Sequence, residues 1–162
     1  MPLEHKGKIA LVTGANKGIG FEVARQLGAE GVIVLIGARN PHRAQTAEAK
    51  LRADGADAHF IELDVTQPET IANAAERIRT QFGRLDILVN NAGVHAKGDG
   101  PPSVVDPDAV RRALDVNFFG ALAVTQAMLP LVRNAASGRI VMVSSALGSI
   151  TSNADPDRRA HV

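Results

Sequence analysis

Short apolar runs alternate along the chain with longer stretches in which apolar residues recur at helical spacing. The runs fall at 9–12, 32–36, 59–63, 85–89 and 140–143 and are rich in Val and Ile. They barely alternate with polar residues, as expected of parallel strands covered on both faces. Between them, Ile19, Val23 and Leu27 stand at i, i+4 and i+8, while Ile71, Ala74, Ala75, Ile78 and Phe82 make a second stripe. Each stripe predicts a crossover helix with one buried face. Thr66, Pro68 and Glu69 mark the start of the second helix. A longer helix opens at Pro107 and turns Val110, Ala113, Leu114, Phe118, Ala121, Val124, Met128 and Leu129 inward before Pro130 disturbs its last turn. Residues 41–54, Ala-rich and charged, predict one more helix. This alternation predicts an α/β fold: a doubly wound parallel sheet of about five strands in the order 3-2-1-4-5, helices on both faces. Residues 1–150 are expected to form the domain, and the polar stretch 151–162, with Asp155, Pro156, Asp157, Arg158 and Arg159, a disordered tail.

Composition narrows the partners. A chain of 162 residues, 45% hydrophobic, holds one core and little room for a second. With 18 Lys+Arg against 17 Asp+Glu, nothing in the net charge asks for nucleic acid or an anionic membrane. The absence of cysteine removes disulfides, thiolate metal sites and cysteine nucleophiles, and suits a reduced compartment. No metal site is expected. The first apolar run, 9–12, is too short for a signal or a membrane span, and other apolar stretches are interrupted by charges or breakers, so a cytoplasmic protein is expected. Tyr and Trp are both absent, so no phenol is present to act as general acid or base.

The chemistry begins at the first strand-to-helix turn, Thr13-Gly14-Ala15-Asn16-Lys17-Gly18-Ile19-Gly20. Glycines there let the backbone turn sharply and approach a ligand, and the helix N-terminus offers N–H groups and a positive dipole end to a pyrophosphate. Strand before and helix after make this a dinucleotide-binding turn, although many such turns carry Gly for geometry alone. In such folds an acidic residue about 20 positions past the last glycine holds the ribose 2′-hydroxyl. Here Arg39 stands nineteen past Gly20, no Asp or Glu lies between Val32 and Arg39, and Lys17 sits inside the turn. Two cations facing a 2′-phosphate predict NADP(H) over NAD(H); the alternative is that both are ordinary solvated surface cations.

With these motifs in order, the chain from about Lys8 to Gly148 resembles the short-chain dehydrogenase/reductase family, whose fold is Rossmann-like. Its glycine turn has that family's T-G-x-x-x-G-x-G spacing. The resemblance implies that Asp64 and Val65 set a carboxylate and a backbone N–H against the adenine; an ordinary helix cap is the other reading of Asp64. It implies that Asn90-Asn91-Ala92-Gly93 packs along the cofactor ribose, with Asn steadying the sheet. Asn117, on the apolar face of the long helix, would hold a water in a proton relay, or else be a locally satisfied core Asn. Ser145, at the end of the fifth strand, would hydrogen-bond the substrate carbonyl or alcohol oxygen, while Ser144 satisfies backbone.

The family then requires a Tyr and, four residues on, a Lys. At the commonest spacing these positions are Arg158 and Val162, and a subgroup with a longer insertion would place them past Val162. His161 in the polar tail is no substitute. The chain is therefore expected to be truncated before that motif and to lack the C-terminal part of the family fold. Its function is expected to be hydride transfer between NADP(H) and a small carbonyl or alcohol substrate. The alternatives are a non-catalytic dinucleotide-binding fragment and an inert product of a truncated or frame-shifted reading frame. A fifth strand left as a bare apolar edge, and a long helix missing its neighbour, also lead to an expectation of self-association through one or the other.

Overall fold

The computed structural model describes residues 5–95, 97–98, 103–145, 148 and 151. The expected tail, apart from Thr151, lies outside them, as does most of the Gly/Pro-rich stretch 98–102. Five strands, β1 (Ile9–Thr13), β2 (Ile33–Ala38), β3 (Ala58–Glu62), β4 (Ile87–Asn90) and β5 (Arg139–Met142), form one parallel sheet ordered β3-β2-β1-β4-β5. The predicted doubly wound architecture is the observed one, with strand limits moved by a residue or two.

Successive residues of each central strand serve opposite layers. Leu11, Leu35, Ile61 and Leu88 pack with α3 (Pro68–Phe82) and α5 (Ala121–Arg133). Val12, Val34, Ile36 and Val89 pack with α1 (Gly18–Ala29) and α2 (Pro41–Ala53). Both cores are apolar through every central strand, which is why those strands read as unbroken hydrophobic runs. Asn40 caps α2 by accepting from the Arg43 N–H at 2.9 Å, and Pro41 takes the first helical position. Helix α3 starts after Gln67, which makes no side-chain cap bond, and ends at Gly83 with φ 70°.

Helix α1 buries the predicted face only in part, Val23 and Leu27 packing against the core while Ile19 does not. Ile19 is 68% exposed, and Val23 and Leu27 are only half-buried; the fully buried residues are Gly20, Ala24 and Gly28. A Cβ on Gly28 would lie 2.6 Å from the Ala56 Cβ, so the absence of side chains is what lets the helix come in so close.

The long helix also departs from expectation. It runs as α4 (Pro107–Leu114), a π-helical turn (Asp115–Gly120) and α5. Ala121, Val124 and Met128 are buried as expected, joined by Leu131 and Val132, because the helix continues past Pro130 on its exposed side. Val110, Leu114 and Phe118 point outward, the last 58% exposed. Before Gly120, where a Cβ would stand 2.7 Å from Val65 Cγ2, only Ala109 is fully buried and Val116 packs partly against the core. By length and composition alone Pro107–Arg133, 27 residues whose most apolar 18-residue window has mean hydropathy 1.3, is apolar enough to cross a membrane, which the sequence reading did not anticipate. In the fold, its α5 half packs one face on the sheet as a core helix. Asp106 caps α4; the Asp108 N–H, helped by Arg112, holds its carboxyl below the ordinary carboxylate range.

Asp86 anchors the start of β1. Its buried carboxylate accepts from the Ile9 N–H at 2.8 Å and from Arg84 Nε at 3.2 Å. Asp86→Ala leaves that buried N–H without an acceptor and is expected to lower stability by about 2 kcal/mol. Urea unfolding measures this, and an unchanged midpoint would show that the anchor does not matter.

Candidate functional site

Thr13 joins the two strands that open toward the site. Its hydroxyl accepts from the N–H groups of Asn91 (3.0 Å) and Ala92 (2.9 Å), and Asn91 Nδ2 donates to the Thr13 carbonyl at 2.8 Å. The chain then turns through Gly14, with φ 66°, and Gly18, with φ 58°, a region that disfavours side chains. A Cβ on Gly14 would stand 3.0 Å from Ala92 Cα, and one on Gly20 2.7 Å from the Gly14 carbonyl oxygen. These residues carry glycine because two backbone segments meet there.

The turn delivers α1 with an open N-terminus. Lys17, in extended geometry, occupies the cap position without a side-chain cap bond, and the first turn holds no acidic residue. Its N–H groups and dipole end face a cavity of about 580 Å³. Gly14, Asn16, Lys17, Gly18, Ile19 and Gly20 form one wall. Arg39, Asp64 and Val65 form a second, and Asn91, Ala92 and Gly93 a third. The structure thus brings every residue singled out for the cofactor to one cavity. The exposed Ile19 is part of that wall.

Three cations line the cavity: Lys17, Arg39 and Arg43. Among the described residues none has a carboxylate partner, whereas Arg25, Arg52 and Arg79 are paired at 2.7, 2.8 and 2.6 Å. Residues 38–40 at the end of β2 are Ala, Arg and Asn, so no carboxylate there opposes a 2′-phosphate. Arg43 was not singled out from the sequence. The signal for it was present in Asn40-Pro41, a cap that starts α2 early enough to bring its first turn to the cavity. The cleared glycine turn, the open helix end and the unpaired cations fit an anionic dinucleotide bearing a third phosphate.

Asp64 borders the cavity and closes a local turn ahead of α3. Its Oδ1 accepts from Thr66 N–H (2.9 Å) and Thr66 Oγ1 (2.7 Å), three residues before the cap position at Gln67. Asn117 lies in the π-helical turn and is exposed, not buried as expected. Its amide brackets one residue: Oδ1 accepts from the Val94 N–H at 2.8 Å and Nδ2 donates to the Val94 carbonyl at 3.0 Å. Local satisfaction is what the structure shows for it. Ser145 is exposed beyond β5, its carbonyl accepting from Gly148 N–H at 3.0 Å. Neither Asn117 nor Ser145 lines the cavity. Asn90 donates through Nδ2 to Thr125 Oγ1 at 2.9 Å and so ties β4 to α5. Arg158, His161 and Val162 lie outside the described residues.

A parallel sheet in this order, with a glycine turn at the first β–α junction and a cavity at the strand ends, defines a dinucleotide-binding domain. The model of the short chain dehydrogenase family matches residues 8–155, and the chain belongs to that family. It is 34% identical over 173 residues to (+)-neomenthol dehydrogenase of Arabidopsis thaliana, covering 91% of this chain and 56% of the relative. It is 41% identical over 140 residues to carbonyl reductase (NADPH) 1 of Mus musculus, covering 85% and 48%. A short chain dehydrogenase of Escherichia coli CFT073, solved in complex with NADPH, superposes with TM-score 0.84 at 30% identity, covering 90% and 62%. The chain spans about half the length of the curated relatives it matches.

Proposed function

We propose that this chain supplies the cofactor-binding domain, residues 1–150, of an NADP(H)-dependent short-chain oxidoreductase acting on a small carbonyl or alcohol in a reduced cytoplasm. Lys17, Arg39 and Arg43 carry this reading: they are unpaired among the described residues and line one cavity with an uncapped helix N-terminus. When bound, the nicotinamide supplies or accepts hydride. The chain's own residues hold the dinucleotide: the α1 N-terminus takes the pyrophosphate, and the three cations take the 2′-phosphate. Asp64 and Val65 border the adenine end, and Asn91 to Gly93 the ribose path. Ser145 is assigned to the substrate oxygen, and Asn117 to the relay water, by family likeness. A NADPH-bound neighbour and a relative named for NADPH support the cofactor assignment.

The experiment is a titration with adenosine 2′,5′-bisphosphate and with 5′-AMP. The bisphosphate is expected to bind at least about 10-fold more tightly, the effect of one charge-assisted contact. Equal affinities would remove the reading.

A second reading is that these 162 residues, which hold no tyrosine, bind the dinucleotide without turning it over by themselves. No phenol is then available to move the proton on the substrate oxygen. Oxidation of NADPH by the purified chain over a panel of ketones separates the two. Buffer-level rates leave the binding reading, and substrate-dependent rates leave the oxidoreductase.

A further inference from the structure

We propose that Asn40 is a positioning residue for selectivity toward the third phosphate: by capping α2 it holds in place the helical turn that carries Arg43 at the cavity. The inference rests on the cofactor reading above and adds to it a residue that acts through its neighbour. Asn40 stands in extended geometry, φ −108° and ψ 108°, with Pro41 at the first helical position. Its Oδ1 accepts from the Arg43 N–H at 2.9 Å, and its carbonyl accepts from the Ala44 N–H at 3.1 Å.

Packing does not hold that turn. Residues 39–43 are all exposed, and α2 first meets the core at Ala44, followed by Ala47 and Leu51. Arg43 thus stands one residue short of the packed part of the helix. Pro41 brings no N–H, and the N–H groups of Arg43 and Ala44 both end on Asn40. The usual reinforcements of a helix start are missing. The third helical position, where a capping box sets Glu or Gln to bond back to the cap N–H, is Arg43. A hydrophobic staple would need an apolar residue ahead of the cap, and Arg39 is there instead. The order of the first turn therefore depends on the one side chain that caps it.

Charge makes the same turn costly until an anion arrives. It holds no acidic residue, yet it sets Arg43 at the positive end of the helix dipole with Arg39 just ahead. Arg39, Asn40 and Arg43 line the cavity that Lys17 also lines, where the 2′-phosphate is assigned. A phosphate there relieves the like charges and the dipole together. With the cap in place the backbone under Arg43 is ordered before the nucleotide binds, so less freedom is lost on binding. Without it the turn frays, and a contact from Arg43 to the phosphate has first to re-form it.

Calorimetric titration with adenosine 2′,5′-bisphosphate and with 5′-AMP tests this on the unaltered chain, on Asn40→Ala, Asn40→Ser and Arg43→Ala, and on the double variant Asn40→Ala with Arg43→Ala. Asn40→Ala is expected to weaken the bisphosphate about 3- to 10-fold and 5′-AMP by less than about twofold. Asn40→Ser, whose hydroxyl also caps, is expected to keep the bisphosphate within about twofold of the unaltered chain. Once Arg43 is alanine, losing Asn40 as well is expected to cost less than about a further twofold, because the side chain it positions is gone. A loss from Asn40→Ala that persists undiminished without Arg43 would mean that Asn40 touches the phosphate itself, and would overturn the proposal. So would an equal loss for both nucleotides, no loss at all, or a serine that fails to restore binding. Equal affinity of the unaltered chain for the two nucleotides is a different failure: it removes the cofactor reading and this proposal with it.

Discussion

Replacing Arg39 and Arg43 together by alanine is expected to weaken NADPH binding by about 10- to 100-fold while changing NADH binding by less than about threefold. Both side chains line the cavity, and neither has an ion-pair partner among the described residues, so their removal breaks no ion pair there and leaves the Arg43 N–H bond to Asn40 in place. A charge-assisted hydrogen bond to a phosphate is the strong kind, and a guanidinium offers it in a planar fork. Lys17 is left in place, so some preference for the third phosphate survives. Fluorescence titration of the double variant with both dinucleotides makes the check. An equal loss for NADPH and NADH would mean that the arginines act on the dinucleotide as a whole and not on the 2′-phosphate.

Gly20→Val is expected to abolish binding of both dinucleotides, with affinity falling by more than about 100-fold, and to lower stability by about 1–3 kcal/mol. Even one carbon at this position would lie 2.7 Å from the Gly14 carbonyl oxygen, a backbone atom that cannot rotate away. Relief requires α1 to move outward, and its N-terminal N–H groups leave the cavity with it. Gly55→Ala is the control for glycine replacement as such. It has φ 88° but open space around it, and it lies outside the cavity, so stability changes and affinity does not. Retained NADPH affinity in the Gly20 variant would show that the close approach of turn and helix is not what binds.

Strands were the most legible part of the sequence. A parallel strand buried on both faces has no polar alternation to confuse its reading, and each Val/Ile run proved to be a rung of the sheet. Helix faces were less legible where the contact is made by small residues. Gly20, Ala24 and Gly28 carry no hydrophobic signal, yet their smallness sets how near α1 lies. In the long helix the spacing was right, but periodicity does not say what lies opposite, and Val110, Leu114 and Phe118 in the first turns stay exposed.

The candidate site was legible where it depends on glycine and charge. Thr13 and Arg43 were missed for different reasons. The Thr13 hydroxyl works through distant N–H groups at Asn91 and Ala92. Arg43 reaches the cavity only because Asn40 and Pro41 start α2 where they do. Asn117 was placed on the right helix but expected in the core. The π-helical turn puts it at the surface, where its amide closes on Val94.

The central claim is that these residues form a cradle for a 2′-phosphorylated dinucleotide. Calorimetric titration of the unaltered chain with NADPH and, separately, NADH tests it most directly. The account predicts one site per chain with NADPH bound at least about 10-fold more tightly, a difference of about 1.4 kcal/mol. Equal affinity for the two, or no binding of either by a folded chain, would contradict it.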